Sequence, residues 1–299
     1  MAMVRDRWRS HLLQTLSGTD DGSPQWVQDL ARGTDAGFFG PGSASWAVHG
    51  GMATMVAGIR ALLVQALHPG AMAGVHDWSR YRDDPLGRLT GTIRWLITVT
   101  FGDRATAERS SAMVRGLHQR VQGEYTDAFG TRRSYRASDP ELIEWVHLAF
   151  TDSFLTCHEI WESGIPGGPD AYVREWATAG ALIGLSAPPV TAAELRGRLA
   201  AVADAGTLKT DERVLDVVRF IRNPPLARAM KPAYRIMFAG AVGSLDPLHR
   251  RMLGLTRPGP LAVPATGAVL RSAKSLLGER STSEEAALDR IARLQRDAA

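Results

Sequence analysis

Apolar residues in this chain recur at three- and four-residue spacing, the period of a helix with one buried face, and almost nowhere alternate as in a half-buried strand. The stretch from Ser45 to Leu67 is apolar nearly all round, which predicts one long central helix. His68-Pro69-Gly70 should stop it, because the residue before a proline avoids the helical region and a glycine follows. The pattern then predicts a short helix over 71–81 and one over 85–101, with Leu86, Leu89, Ile93, Leu96 and Ile97 on its apolar stripe. Gly102-Asp103 caps a third over 104–122. Ser138-Asp-Pro-Glu141 has capping-box spacing and opens a helix to about Trp161, with Leu142, Trp145, Val146, Ala149, Phe150, Phe154 and Cys157 inward. Further helices are expected over 170–185 (capped by Asp170), from Thr191, over 211–222, over 226–242, from Asp246, and near 269–277 and 283–297. An amphipathic helix over 1–20 and a short one over 24–32 precede them, and only 131–136 reads as strand. The fold class is therefore all-α: a single large helical domain of about ten helices over residues 1–299.

Composition narrows the function more than the fold. Hydrophobic residues make up 44% and charged residues 22%, the balance of a soluble globular protein. The formal charge is only +4, and the 35 basic residues are scattered, so the concentrated stripe of a nucleic-acid binder is missing. A single cysteine, Cys157, excludes an intrachain disulfide framework and fits a reducing compartment. The longest uncharged run, 37–59, could cross a bilayer on length alone. Pro41, His49 and several Gly and Ser dilute it, so a buried core helix is the reading and no membrane span is expected. Met1–Leu13 carries Arg5, Asp6, Arg7 and Arg9 with no apolar segment behind them, so no secretory signal is expected and the protein reads as cytoplasmic. Homo-oligomerisation stays open.

Three histidines and one arginine carry candidate chemistry. His118 shares a helical stripe with Val114, Leu117 and Val121, and an imidazole among aliphatics needs a partner for its ring nitrogens. A satisfied core histidine is the more frequent outcome, but a proximal haem ligand has the same signature. Arg88 and Thr92 are four apart and share a face; the arginine needs an anion, either a haem propionate or Asp83, Asp84 or Asp103. His68 reads as a cation at a helix C-terminus before it reads as a pocket residue. Glu144 and His147 form the one E-x-x-H pair, where a di-iron bundle needs two. Cys157 reads as a small core residue.

Taken in order, L-V-Q-A-L-H-P-G-A-M-A-G-V, D-P-L-G-R-L-T-G-T, V-R-G-L-H-Q-R-V-Q-G and D-P-E-L-I-E-W-V-H-L-A-F-T-D-S resemble the MpaB-like oxygenase family, which is related to the latex clearing proteins. The resemblance covers 38–161 well and extends loosely to about 255, leaving the helices of 269–299 peripheral. It implies a globin-like helical core, haem b, and oxidative cleavage of carbon–carbon double bonds in isoprenoid chains. By the same resemblance His118 is the iron ligand, with dioxygen bound trans to it, and Arg88 and Thr92 line the haem pocket. Gly91 stands where latex clearing proteins carry a lysine, so a small lipophilic molecule, isoprenoid by resemblance, is the expected substrate rather than rubber. A catalytic acid or base is not identifiable. The alternatives are a non-enzymatic haem or lipophile carrier on the same fold, and behind it a di-iron oxidase. Fold alone does not choose among them.

Overall fold

The computed structural model describes residues 23–78 and 85–299, with only the backbone for 85–90. The helix expected over 1–20 and the Asp83-Asp84 cap therefore lie outside the described residues. Fourteen helices and one two-stranded ribbon make up the described chain, which is all-α as the sequence predicts. In order these are α1 (Gln25–Asp29, continued by a 3-10 turn Leu30–Arg32), α2 (Ala44–Gly50), α3 (Thr54–Gln65), α4 (Pro69–Trp78), α5 (Pro85–Phe101) and α6 (Arg104–Arg120). The ribbon β1 (Gln122–Thr126) and β2 (Arg132–Arg136) follows. Then come α7 (Pro140–Trp161), α8 (Gly168–Leu182), α9 (Ala192–Asp204), α10 (Glu212–Arg222), α11 (Lys231–Gly243), α12 (Pro247–Met252), α13 (Ala262–Leu277) and α14 (Thr282–Asp297).

The helix expected over 45–67 is two helices, bent by 91° between α2 and α3. Two things make the bend. Gly51 is extended, at φ −74° and ψ 155°. The Glu162 carboxylate comes up from α7 and accepts from the Ala53 N–H at 3.2 Å, where a Cβ on Gly51 would meet Glu162 Oε1 at 3.1 Å. Glu175 of α8 caps α2 in the same way, accepting from the backbone N–H of Ser45 at 2.8 Å and of Ala44 at 3.2 Å. Among the described residues no single helix is long and apolar enough to cross a membrane.

α3 and α7 are the central pair, with Leu63, Val64, Leu148 and Leu155 at 0–1% exposure in the main core. α10 and α11 pack on α3; α8 and α9 pack on α7; α13 covers α11. α14 closes over the 3-10 turn and α5, where Arg290, 0% exposed, donates to the carbonyls of Leu30, Ala36 and Phe101. β1 and β2 pair antiparallel in the register Gly123↔Tyr135, and Tyr125 and Tyr135 pack edge to face beside Ala73 of α4 with ring centroids 6.1 Å apart.

Caps differ from their expected places at two helices. α7 is capped at Asp139, with no side-chain bond, because the Asp139 carboxylate accepts instead from the Arg136 N–H at 2.8 Å. α8 starts after Gly167 in the left-handed region (φ 72°), and Asp170 reaches across to the Ala192 N–H at 2.8 Å. The Thr191 cap forms as expected, accepting from the Glu194 N–H at 3.1 Å.

Candidate functional site

α5 and α6 form a helical hairpin joined at Gly102-Asp103. Asp103 closes the turn by accepting from the N–H groups of Thr106 (3.0 Å) and Thr34 (3.3 Å), which together with nearby Arg290 hold its carboxyl below the ordinary range although burial opposes this. Asp103 is thus occupied as a cap. The side chains of Arg88, Asp83 and Asp84 lie outside the described residues, so the partner of Arg88 is not among the observations.

The inward face of α6 runs Ala107, Ser111, Val114, His118, at intervals of four, three and four. The first two are buried and the last two half-buried. Leu117, expected inward, is 50% exposed: one residue from His118 is about 100° around the helix, so both cannot face the core. Val121 lies beyond the helix, buried with Tyr125, Tyr135 and Leu142. On α5, Leu96 is buried, whereas Ile93 is 38% exposed and Thr92 half-buried. Trp95 ties the hairpin together, its indole N–H donating to Ser111 Oγ at 3.0 Å. Counting from that pair along the hairpin brings Thr92 level with Val114, and the backbone of position 88 level with His118, to within about a turn.

Two small apolar groups take in the neighbours of His118 along the chain. Ile143, Ile183 and Leu185 pack with Trp95 and with Val114, one turn before it. Ala73, Tyr125, Tyr135 and Leu142 pack with Val121, three residues after it. The imidazole is half-buried, and its Nδ1 is shielded from solvent with no hydrogen-bond partner among the described residues. Burial lowers its pKa, because the charged form loses its water. His118 is therefore a neutral ring whose Nδ1 has no partner among the described residues.

Of the other histidines, His147, His158 and His249 also keep one buried ring nitrogen without a partner among the described residues. His49, unremarked in the pattern except as a polar break, is a satisfied core residue. Thr100 donates its hydroxyl to the Leu96 carbonyl (2.8 Å) and so accepts from His49 Nδ1 (2.8 Å), leaving Nε2 to accept from the Tyr172 hydroxyl (3.0 Å). Burial, with His158 nearby, takes its pKa down to about 3. His68 is not a cation at the end of α3. Its Nδ1 accepts from the Gly70 N–H at 3.2 Å, capping α4, and burial lowers its pKa to about 4, so it is neutral. Glu144 is drawn to Arg198 at 2.8 Å. His147, 4% exposed, lies against Gly180 with Nε2 unpartnered among the described residues. Burial, with the Arg198 charge, lowers its pKa to about 4. Cys157 is a core thiol at 0% exposure, its pKa raised by burial to about 12.

Among the described residues no three of His, Cys, Asp and Glu converge as a metal cluster would require. Two surface cavities, of about 230 Å³ beside Trp46 and Arg280 and about 180 Å³ beside Tyr125 and Lys209, do not include His118. The hairpin is thus where an unsatisfied imidazole, apolar lining and sequence motif coincide. Residues 46–273, more than three-quarters of the chain, match the family model described as ER-bound oxygenase mpaB/B'/Rubber oxygenase, catalytic domain. The chain belongs to this family. The match includes α5, α6, α7 and the ribbon, and reaches into α13, further than the resemblance of the four motifs alone. No curated protein and no solved structure matches the chain. Membership in the mpaB and rubber oxygenase family makes this an oxygenase-type catalytic domain.

Proposed function

We propose that the protein is a haem b-dependent oxygenase acting on a small lipophilic substrate, isoprenoid in class, with His118 as the ligand to iron. The observation that carries this is the buried Nδ1 of a neutral His118 on the inward face of α6, without a partner among the described residues, within the sequence motif shared with the family. A buried imidazole nitrogen without a protein partner is costly unless something else occupies it. A neutral ring on a rigid helix is also what an iron ligand requires. The residues present fit the group in these respects. The haem, when bound, supplies the oxygen chemistry.

The chain's own contributions follow from the packing. Trp95, Val114, Ile143, Ile183 and Leu185 present an apolar wall that excludes water and suits a lipophilic substrate. Ser111 fixes the indole of that wall by accepting its N–H. Thr92 and Arg88, near the level of Val114 and His118, would meet the polar edge of the haem, the arginine at a propionate. His147 is neutral at pH 7, and its Nε2 has no partner among the described residues. The family favours oxygenase over the carrier alternative, because its model is of a catalytic domain.

Haemin titration followed by absorbance tests the reading. A Soret band that disappears in His118→Ala is expected, with weaker retention in Arg88→Ala. The same band in wild type and His118→Ala would remove His118 as ligand, and no band in either would end the haem reading. Oxygen consumption that depends on an added isoprenoid separates oxygenase from carrier.

A further inference from the structure

The outer face of α6 is not used by the site above. Met113 is 68% exposed and Leu117 50% exposed, and their spacing of four sets them side by side. Arg109, one turn before Met113, and Arg120, one turn after Leu117, are both exposed and continue the same face. Arg109 lies along the helix, donating to Thr106 Oγ1 at 2.8 Å, while Arg115 points elsewhere, to the Leu182 carbonyl of α8. Trp78 extends the strip past the end of α6. Its indole N–H is pinned to the Gln122 carbonyl at 2.7 Å while the residue stays 52% exposed.

Charge decides what fits this face. The face carries Arg109 and Arg120, and no acidic residue occurs between Arg109 and Gly123. A second copy packed on the same face by a two-fold axis would set these arginines against their own equivalents. An anionic lipid surface accepts both halves of the pattern. Methionine and leucine enter the acyl boundary, arginines meet the headgroups, and a half-exposed indole takes the interfacial position.

We infer that the outer face of α6, with Arg109, Met113, Leu117, Arg120 and Trp78, docks this protein on an anionic membrane surface. The inference rests on the proposed lipophilic substrate for its purpose, not for its geometry. The helix that carries His118 inward is then the one held against the bilayer.

Sedimentation with unilamellar vesicles, without haem or substrate, tests docking. The full chain should sediment with phosphatidylcholine containing about one-third phosphatidylglycerol, release as salt is raised, and ignore phosphatidylcholine alone. Met113→Glu/Leu117→Glu should abolish binding. Arg109→Gln/Arg120→Gln should weaken it about 25-fold, at about fivefold per arginine. All four positions are exposed, and far-ultraviolet circular dichroism confirms that the variants fold. Absence of binding to anionic vesicles, or variants that bind like wild type, overturns the inference. A concentration-dependent dimer that Met113→Glu dissolves assigns the face to a second copy and also overturns it. Because the assay omits haem, its failure leaves the Soret experiment standing, and a missing Soret band leaves vesicle binding to be judged alone.

Discussion

The tightest test of the core is the ion pair between its two central helices. Arg60 of α3 meets Asp152 of α7 at 2.7 Å, with side-chain exposures of 5% and 12%, so water cannot replace either partner. The guanidinium also donates to Ser153 Oγ at 2.8 Å and faces the Ser244 carbonyl at 3.4 Å. Removing one member of a buried pair leaves the other charge desolvated, a loss of about 3–5 kcal/mol. Asp152→Ala should therefore lower the free energy of unfolding in urea by that amount, or the melting temperature by roughly 5–8 °C for a chain of this size. Asp152→Asn keeps a hydrogen-bond acceptor and should fall between. Arg60→Met/Asp152→Leu removes both charges and should recover most of the loss, because an apolar replacement of similar volume avoids the desolvation. Urea curves read by circular dichroism give all three values. If Asp152→Ala lay within about 1 kcal/mol of wild type, or the double variant were no better than the single, the pair would not be a buried electrostatic unit and the reasoning would fail.

Acid should unfold the protein over a defined window. His68 and His147 have folded pKa values near 4 against 6.5 for the free side chain, so the unfolded state binds protons first. Stability is complete above about pH 6.5 and falls by about 1.4 kcal/mol per pH unit for each histidine down to about pH 4. His68→Asn should flatten that slope, and an unchanged slope would show that His68 titrates normally. Gly180→Ala should cost about 1–3 kcal/mol by urea denaturation, since its Cβ would stand 3.0 Å from His147 Cε1 and 3.1 Å from Pro188 Cβ. A neutral result would mean that the ring moves freely. Glu175→Ala, which removes the carboxylate from the start of α2 and leaves the Ser43 cap, should cost about 2 kcal/mol or more, given two bonds to a charged acceptor. A loss below about 0.5 kcal/mol would mean that water replaces the carboxylate.

Helices with one apolar stripe were legible because their signal is local: α5 and α7 begin and end where spacing and proline place them. His118 was set on a stripe with Val114, Leu117 and Val121, whereas the inward stripe of α6 runs 107, 111, 114 and 118, so only Val114 was a true neighbour. Leu117 was misplaced because apolar character alone does not say which of two neighbours faces in. The break between α2 and α3 was not legible, since the carboxylate that supports it comes from Glu162, over a hundred residues later. His68 changed its meaning likewise: the tripeptide shows a helix end, but only the burial of the ring makes it a neutral acceptor for the next helix. Asp152, Thr151 and Ser153 sit buried on a helix whose apolar positions were read correctly, and their partners come from α3 or from the helix itself.

The buried guanidinium of Arg290 has a consequence for how the protein is made. It completes carbonyls at positions 30, 36 and 101, the first of them 260 residues earlier in the chain. A ribosome delivers those acceptors long before the donor exists. Until residue 290 has been made, these three carbonyls lack the donor that buries them, so α14 completes this part of the core after the helices it joins.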